Sequence, residues 1–108
     1  MVEYTLSLDT VFDSLADPTR RDILERVAKA ELSVGEIALP YDMSLAAISK
    51  HVKILERAKL IVKRRRGKEQ LVSMNASGLA DADNYLQRYK ELWEQRLDSL
   101  DKYLESTN

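Results

Sequence analysis

The apolar positions of this chain fall into short runs with a helical period, interrupted once by a stretch that alternates as strands do. Val11, Phe12, Leu15 and Ala16 follow an i, i+1, i+4, i+5 stripe and predict a short first helix capped by Asp9. Asp17-Pro18 opens a second helix, because an Asp N-cap accepts backbone N–H groups and Pro fits the first helical position, where no donor is needed. That helix reaches Lys29 with Ile23, Leu24, Val27 and Ala28 facing inward. Ser33-Val34-Gly35-Glu36 has capping-box spacing. It starts a third helix, with Val34, Ile37 and Ala38 inside, that stops at or before Leu39 because Pro40 follows. Ser44 caps a fourth helix from Leu45 to Arg57 or Ala58. The break between helices three and four is only about five residues, the layout of a helix-turn-helix.

Beyond Leu60 the period shortens. Residues 61–65 and 70–74 flank Arg66-Gly67-Lys68-Glu69, with Gly67 available for positive φ, and predict a β-hairpin. Asn75 or Ser77 then caps a long last helix in which Leu79, Leu86, Trp93 and Leu100 recur every seven residues. A helix over 77–105 is about 43 Å long at 1.5 Å per residue. A compact domain of this size is about 26 Å across by twice its radius of gyration. One end must project or pack on another chain. Leu79 and Leu86 fit an intramolecular core. Leu86, Tyr89, Trp93, Leu97, Leu100 and Leu104 form a seam suited to a partner helix, joined by Leu6, Leu8, Val11 and Phe12 from the N-terminal segment. The expected fold is mainly α with a small β-hairpin, in the order α-α-α-α-β-β-α, as one domain over 1–108. Within it, 9–76 form the core unit, 61–75 the hairpin and 77–105 the C-terminal dimerisation helix.

Composition narrows the class. Among 108 residues, 44% are apolar and 32% charged, with three Gly and two Pro, which excludes disorder, collagen and low complexity. Zero cysteines remove disulfides, thiol catalysis and thiolate metal sites together. No run approaches the ~18 apolar residues of a membrane span, and the first ten residues lack a signal peptide's pattern. The expectation is a soluble, cytoplasmic protein with no membrane partner and no cofactor. No paired carboxylates, Ser-His-Asp set or glycine-rich phosphate loop points to an enzyme.

The net charge of −1 conceals a segregation. Residues 1–42 carry −5, residues 43–70 carry +7 and residues 71–108 carry −3. A local basic segment in an acidic frame fits one face built for a polyanion, or a solvated charged surface. On the fourth helix, Leu45, Ile48, Val52 and Leu55 lie within about 80° of one another as a core stripe. Ala46, Lys50, Lys53 and Arg57 lie opposite, with Ala47 and Ser49 on the flanks. Small side chains let a helix enter a major groove closely, Ser can bond base edges or phosphates, and Lys suits phosphates or guanine edges. An amphipathic helix with a lysine-rich solvent face is the alternative, and the basic hairpin directly after it argues against that. Ile54 falls off the stripe and is expected under the hairpin.

Asp-Pro-Thr-Arg-Arg-Asp-Ile-Leu (17–24), Glu-Leu-Ser-Val-Gly-Glu-Ile (31–37) and Ser-Leu-Ala-Ala-Ile-Ser-Lys-His-Val-Lys-Ile-Leu (44–55), followed by the basic hairpin, resemble winged helix-turn-helix repressors of the ArsR family. The resemblance covers residues 9–76 closely and the terminal helices by layout. It implies a homodimer that represses transcription from a double-stranded DNA operator, with the fourth helix as recognition helix and the hairpin as wing. It puts Ser44, Ala47, Ser49, Lys50, His51 and Lys53 at the DNA, beside Ala46, with Arg64, Arg65, Arg66 and Lys68 on adjacent phosphates or in the minor groove. The other class open to such a chain is a winged-helix interaction module whose basic face meets an acidic protein partner.

Many members of that family sense metals through cysteines at the start of the third helix, where this chain has Ser33 and Gly35. A second family site on the last helix corresponds to Asp81, Asp83, Glu94 and Leu97, so its histidines are absent. The resemblance therefore implies a branch that does not sense metals, with no metal site and an effector the sequence does not name. His51, the single histidine, fits a DNA contact or a satisfied boundary position; a lone imidazole makes no transition-metal site. Arg20 and Arg21 oppose the dipole of the second helix and need a partner, Asp17, Asp13 or a phosphate, with an internal salt bridge favoured for Arg20.

Overall fold

The computed structural model describes the backbone of residues 2–106 and the side chains of residues 8–106. Its first element, α1 (Val2–Ser14), begins well before Asp9. No Gly or Pro interrupts residues 2–14, and Leu8 and Val11, three apart on one helix face, are both buried. Asp9 is therefore an interior residue and not a cap. The remaining helix starts are local. α2 (Pro18–Lys29) begins where the Asp17 carboxylate accepts the Thr19 N–H at 2.7 Å and the Arg20 N–H at 3.3 Å. The two-residue strand β1 (Leu32–Ser33) precedes α3 (Val34–Ala38), whose capping box closes at 3.0 and 3.1 Å between Ser33 and Glu36. α4 (Leu45–Arg57) starts on Ser44, whose Oγ accepts the Ala47 N–H at 3.1 Å.

α4 ends in a Schellman closure: Lys59 N–H bonds to the Glu56 carbonyl at 2.9 Å and Leu60 N–H to the Leu55 carbonyl at 3.1 Å. Lys59 has φ 61°, in the position glycine usually fills. β2 (Ile61–Arg66) and β3 (Glu69–Met74) then pair antiparallel from Ile61↔Met74 to Arg66↔Glu69. Gly67-Lys68 makes the turn, with Gly67 at φ 62°. Each strand is one residue longer than its pattern predicts. The third strand was not legible: β1 pairs with β3 through Leu32↔Val72 and Ser33↔Leu71, giving the order β1-β3-β2.

The core gathers Leu8 and Val11, Ile23 and Val27, Ile37, Ile48, Val52 and Leu55, and Leu60, Ile61 and Val72 from the sheet side. Three sequence expectations fail at its margin. Ala28 is exposed, and Leu45 is 58% exposed, because its first-turn position faces the wing and not the helical core. Ile54 is half-buried but not under the hairpin. The helix side facing the hairpin is that of Glu56, whose carboxylate meets Lys63 on β2 at 3.3 Å, and Ile54 lies about 160° around the axis from it.

A 3-10 turn (Ala76–Leu79) leads into α5 (Ala80–Ser106). Neither expected cap acts as one. The Asn75 side chain donates to the Lys59 carbonyl at 3.0 Å, and Ser77 Oγ donates to Asn75 Oδ1 at 2.8 Å. Gly78 crosses the same point so closely that a Cβ would lie 1.8 Å from the Lys59 carbonyl oxygen. α5 is about 40 Å long. It leaves the rest of the molecule after two turns, and every residue from Leu86 to Ser106 is exposed. The radius of gyration, 19.1 Å, accordingly exceeds the roughly 13 Å of a compact chain of this length. No helix among the described residues is long and apolar enough to cross a membrane.

Candidate nucleic-acid interface

The burial of Ile48, Val52 and Leu55 fixes which side of α4 faces out. Ala46, Ser49, Lys50 and Lys53 are exposed along it, with Ala47 and His51 half-buried on one flank. Ser44 is exposed, and its hydroxyl oxygen already accepts from Ala47, leaving the O–H as a donor.

The wing sorts its cations into two kinds. The Arg64 guanidinium grips Glu31 in two parallel bonds, Nη2 to Oε1 at 2.7 Å and Nε to Oε2 at 3.0 Å, across the central strand β3. That bond from Arg64 holds the Glu31 carboxyl below the ordinary carboxylate range against some desolvation, and the Arg64 and Arg66 charges add to the effect. Lys63 is tied to Glu56, and Arg65 Nε bonds to the Gly67 carbonyl at 3.2 Å. Among the described residues, Lys50, Lys53, Arg66 and Lys68 have no ion-pair partner. Of the cations expected at DNA, Arg64 is thus held by an acid of the same chain, while the tip residues Arg66 and Lys68 are exposed.

A groove between α4 and the wing is lined by Leu45, Ser49, Lys68, Glu69 and Gln70, with the start of α3 at its end. Sequence reasoning missed Leu45 and Gln70 here. Leu45 matched the core period, and Gln70 carries no cue of its own.

Arg20 and Arg21 have a role their helix position hides. Arg20 Nε donates to the Ser14 carbonyl at 2.7 Å, its Nη2 to the Asp13 carbonyl at 3.2 Å, and Arg21 Nη1 to the Leu15 carbonyl at 2.7 Å. They oppose the dipole of α2 but cap the C-terminal end of α1, where cations are favourable. The expected Arg20–Asp17 ion pair exists but is long, 3.9 Å. Asp17 is lowered below its usual value: desolvation opposes the shift, and bonds from the Arg20 and Thr19 N–H groups outweigh it. Arg20 Nη1 also contacts His51 Nδ1 at 3.3 Å.

On the apolar seam, Leu8 and Val11 need correction: at 6% and 1% exposure they are already buried within the single chain. Leu6 lies outside the described side chains. Phe12 packs its edge on Tyr85, which in turn meets Tyr89. Leu86, Tyr89, Trp93, Leu97, Leu100 and Leu104 are all exposed. Leu92 and Tyr103, not anticipated, widen this face to about 140° of the helix. Among the described residues no three His, Cys, Asp or Glu side chains converge as a metal group. Asp81, Asp83 and Glu94 therefore form no such group with one another, and Ser33 is spent on its capping box.

Two short helices joined by a tight turn, backed by α2 and followed by a basic antiparallel wing, define a winged helix-turn-helix protein. Residues 15–64 match a helix-turn-helix domain family. The HTH-type transcriptional regulator Rv2034 of Mycobacterium tuberculosis is 37% identical over 97 residues, 86% of this chain and 91% of that protein. The transcriptional repressor SdpR of Bacillus subtilis is 34% identical over 79 residues, 73% of this chain and 88% of that one. The crystal structure of the ArsR family transcriptional regulator RHA00566 superposes with a TM-score of 0.79 at 32% identity, covering 83% of this chain and 93% of that chain. The chain belongs to the ArsR family of winged helix-turn-helix transcriptional regulators.

Proposed function

We propose that the protein is a homodimeric repressor that binds a pseudo-palindromic DNA operator, with α4 in the major groove and the wing tip on the flanking backbone. The observation that carries this reading is that Lys50, Lys53, Arg66 and Lys68, within the basic segment of an otherwise acidic chain, are exposed and have no ion-pair partner among the described residues. Ser44, Ala46, Ala47, Ser49 and His51 complete the α4 surface toward base edges and phosphates, and Arg65 adds a backbone contact. Arg64 acts as a strut of the wing through Glu31. The exposed seam on α5 supports the dimer, since such a face needs cover. Repression is supported by the similarity to SdpR, which is named a transcriptional repressor.

Two copies of the four free cations neutralise roughly six to eight phosphates, so the slope of log K against log salt is about −5 to −7 on duplex DNA. Lys50→Ala shallows that slope by about two for the dimer, one per copy. A wild-type slope shallower than about −3, or equal affinity for selected and random duplexes, would refute the reading and favour an acidic protein as partner.

A further inference from the structure

We infer that Arg20 is a positioning residue for DNA binding: it orients His51 so that the imidazole Nε2–H meets a DNA phosphate. The inference rests on the DNA-binding reading above. Arg20 is 13% exposed in its side chain and held by two α1 carbonyls, Nε on Ser14 and Nη2 on Asp13. Nη1 lies between the Asp17 carboxylate, at 3.9 Å, and His51 Nδ1, the nearer at 3.3 Å. A guanidinium has only donors to offer, so this contact is a hydrogen bond only with a lone pair on Nδ1, which puts the ring proton on Nε2.

Among the described residues Nε2 has no hydrogen-bond partner, although the ring is half-buried. His51 lies on the flank of α4 about 100° from Lys50, on the side facing α2. The Nδ1 contact fixes the ring plane, so Nε2–H is aimed before DNA arrives. The sequence separates the two partners by 31 residues, which is why each was read alone.

The probe is a duplex recovered from a random pool by the wild-type protein. A Gln amide reaches about as far as Nε2, and an Asn amide about as far as Nδ1. His51→Gln keeps the distal donor and is expected to bind within about threefold of wild type. His51→Asn keeps only an acceptor for Arg20 and is expected to lose about tenfold, the worth of one bond to a charged group. A scan with single neutral methylphosphonates should find one position per half-site that weakens wild type and His51→Gln but not His51→Asn.

Arg20→Lys should weaken binding in the wild-type background and not in the His51→Gln background. Its effect on thermal stability should be equal in both, since capping of α1 does not involve His51. If His51→Asn binds as well as His51→Gln, if no phosphate couples to His51, or if Arg20→Lys costs the same affinity in both backgrounds, the inference is wrong. Failure of the wild-type protein to select any duplex would instead defeat the DNA-binding reading itself.

Discussion

Placing Glu at Trp93 and Leu97 tests the face of α5 that the protomer leaves uncovered. Trp93 is 62% and Leu97 42% exposed. Covering what remains of the indole removes roughly 150 Å² from water, about 4 kcal/mol per copy at ~25 cal/mol/Å². Leu97 adds about 1 kcal/mol by the same measure. A symmetric interface counts each twice, so about 10 kcal/mol of gross burial is lost, before the desolvation of four carboxylates is charged against the dimer. Even if ordering costs cancel half of that, the dimer dissociation constant rises by about three orders of magnitude or more. Neither side chain belongs to the protomer core, so folding survives. Sedimentation at micromolar concentration should give a folded monomer with wild-type helical circular dichroism and little specific DNA affinity. Gln87→Glu, on the polar side of the same helix, should remain dimeric. A dimeric double variant with normal DNA binding would refute the reasoning and move the interface off α5.

Gly78→Ala forces a methyl within 1.8 Å of the Lys59 carbonyl, a backbone atom that cannot step aside. Overpacking of this kind costs about 3 kcal/mol, which lowers Tm by roughly ten degrees or more in thermal denaturation; an unchanged Tm would mean the crossing is looser than described. Glu31, Glu36 and Asp17 all have lowered carboxyl pKa values, through Arg64, through Ser33, and through the Arg20 and Thr19 N–H groups against desolvation. Their stabilisation is present above the unfolded-state carboxylate pKa and is lost as pH falls through the lower folded values, because there the unfolded chain binds more protons. Glu31→Gln should flatten the acid limb of a denaturation-against-pH curve, and an unaltered limb would mean the Arg64 bond is not kept in solution. Zinc or cadmium added to the protein–duplex complex should change affinity by less than about twofold, well short of the 1–3 kcal/mol of real allosteric coupling. A larger effect would point to Asp81, Asp83 and Glu94.

What could be read from the sequence was what is settled within a few residues. The caps at Asp17, Ser33 and Ser44 each depend on a side chain meeting an N–H two or three positions on, and all three form as their spacing requires. The turn at Gly67 is equally local. The failures share a different cause. β1 exists only because β3 pairs with it, and the start of α1 depends on burial of Leu8 and Val11 against distant helices. The run Arg64-Arg65-Arg66 looks uniform in sequence, yet Glu31, 33 positions away, removes one guanidinium from the free set. Arg20 and Arg21 looked like a cost to the helix that carries them because their benefit falls on the preceding one. Charge patterning located the basic surface, but only tertiary pairing separates its struts from its free cations.

That separation bears on how a rigid DNA-binding surface is made from a short chain. Arg64–Glu31 and Lys63–Glu56 root the wing to the segment just before β1 and to the end of α4, so the tip carrying Arg66 and Lys68 is held relative to α4. One turn further on, the Lys59 and Leu60 carbonyls accept the Asn75 side chain and Asn75 N–H, and Gly78 lies against the same peptide. The end of α4, the base of the wing and the start of α5 therefore meet at one point. In the proposed dimer α5 joins the two copies, and their α4 helices must lie about 34 Å apart to enter successive turns of one groove. The direction in which α5 departs fixes that separation, and it is set by the Lys59–Gly78 crossing. On the proposed reading, binding geometry is decided at the junction where the end of α4, the base of the wing and the start of α5 meet.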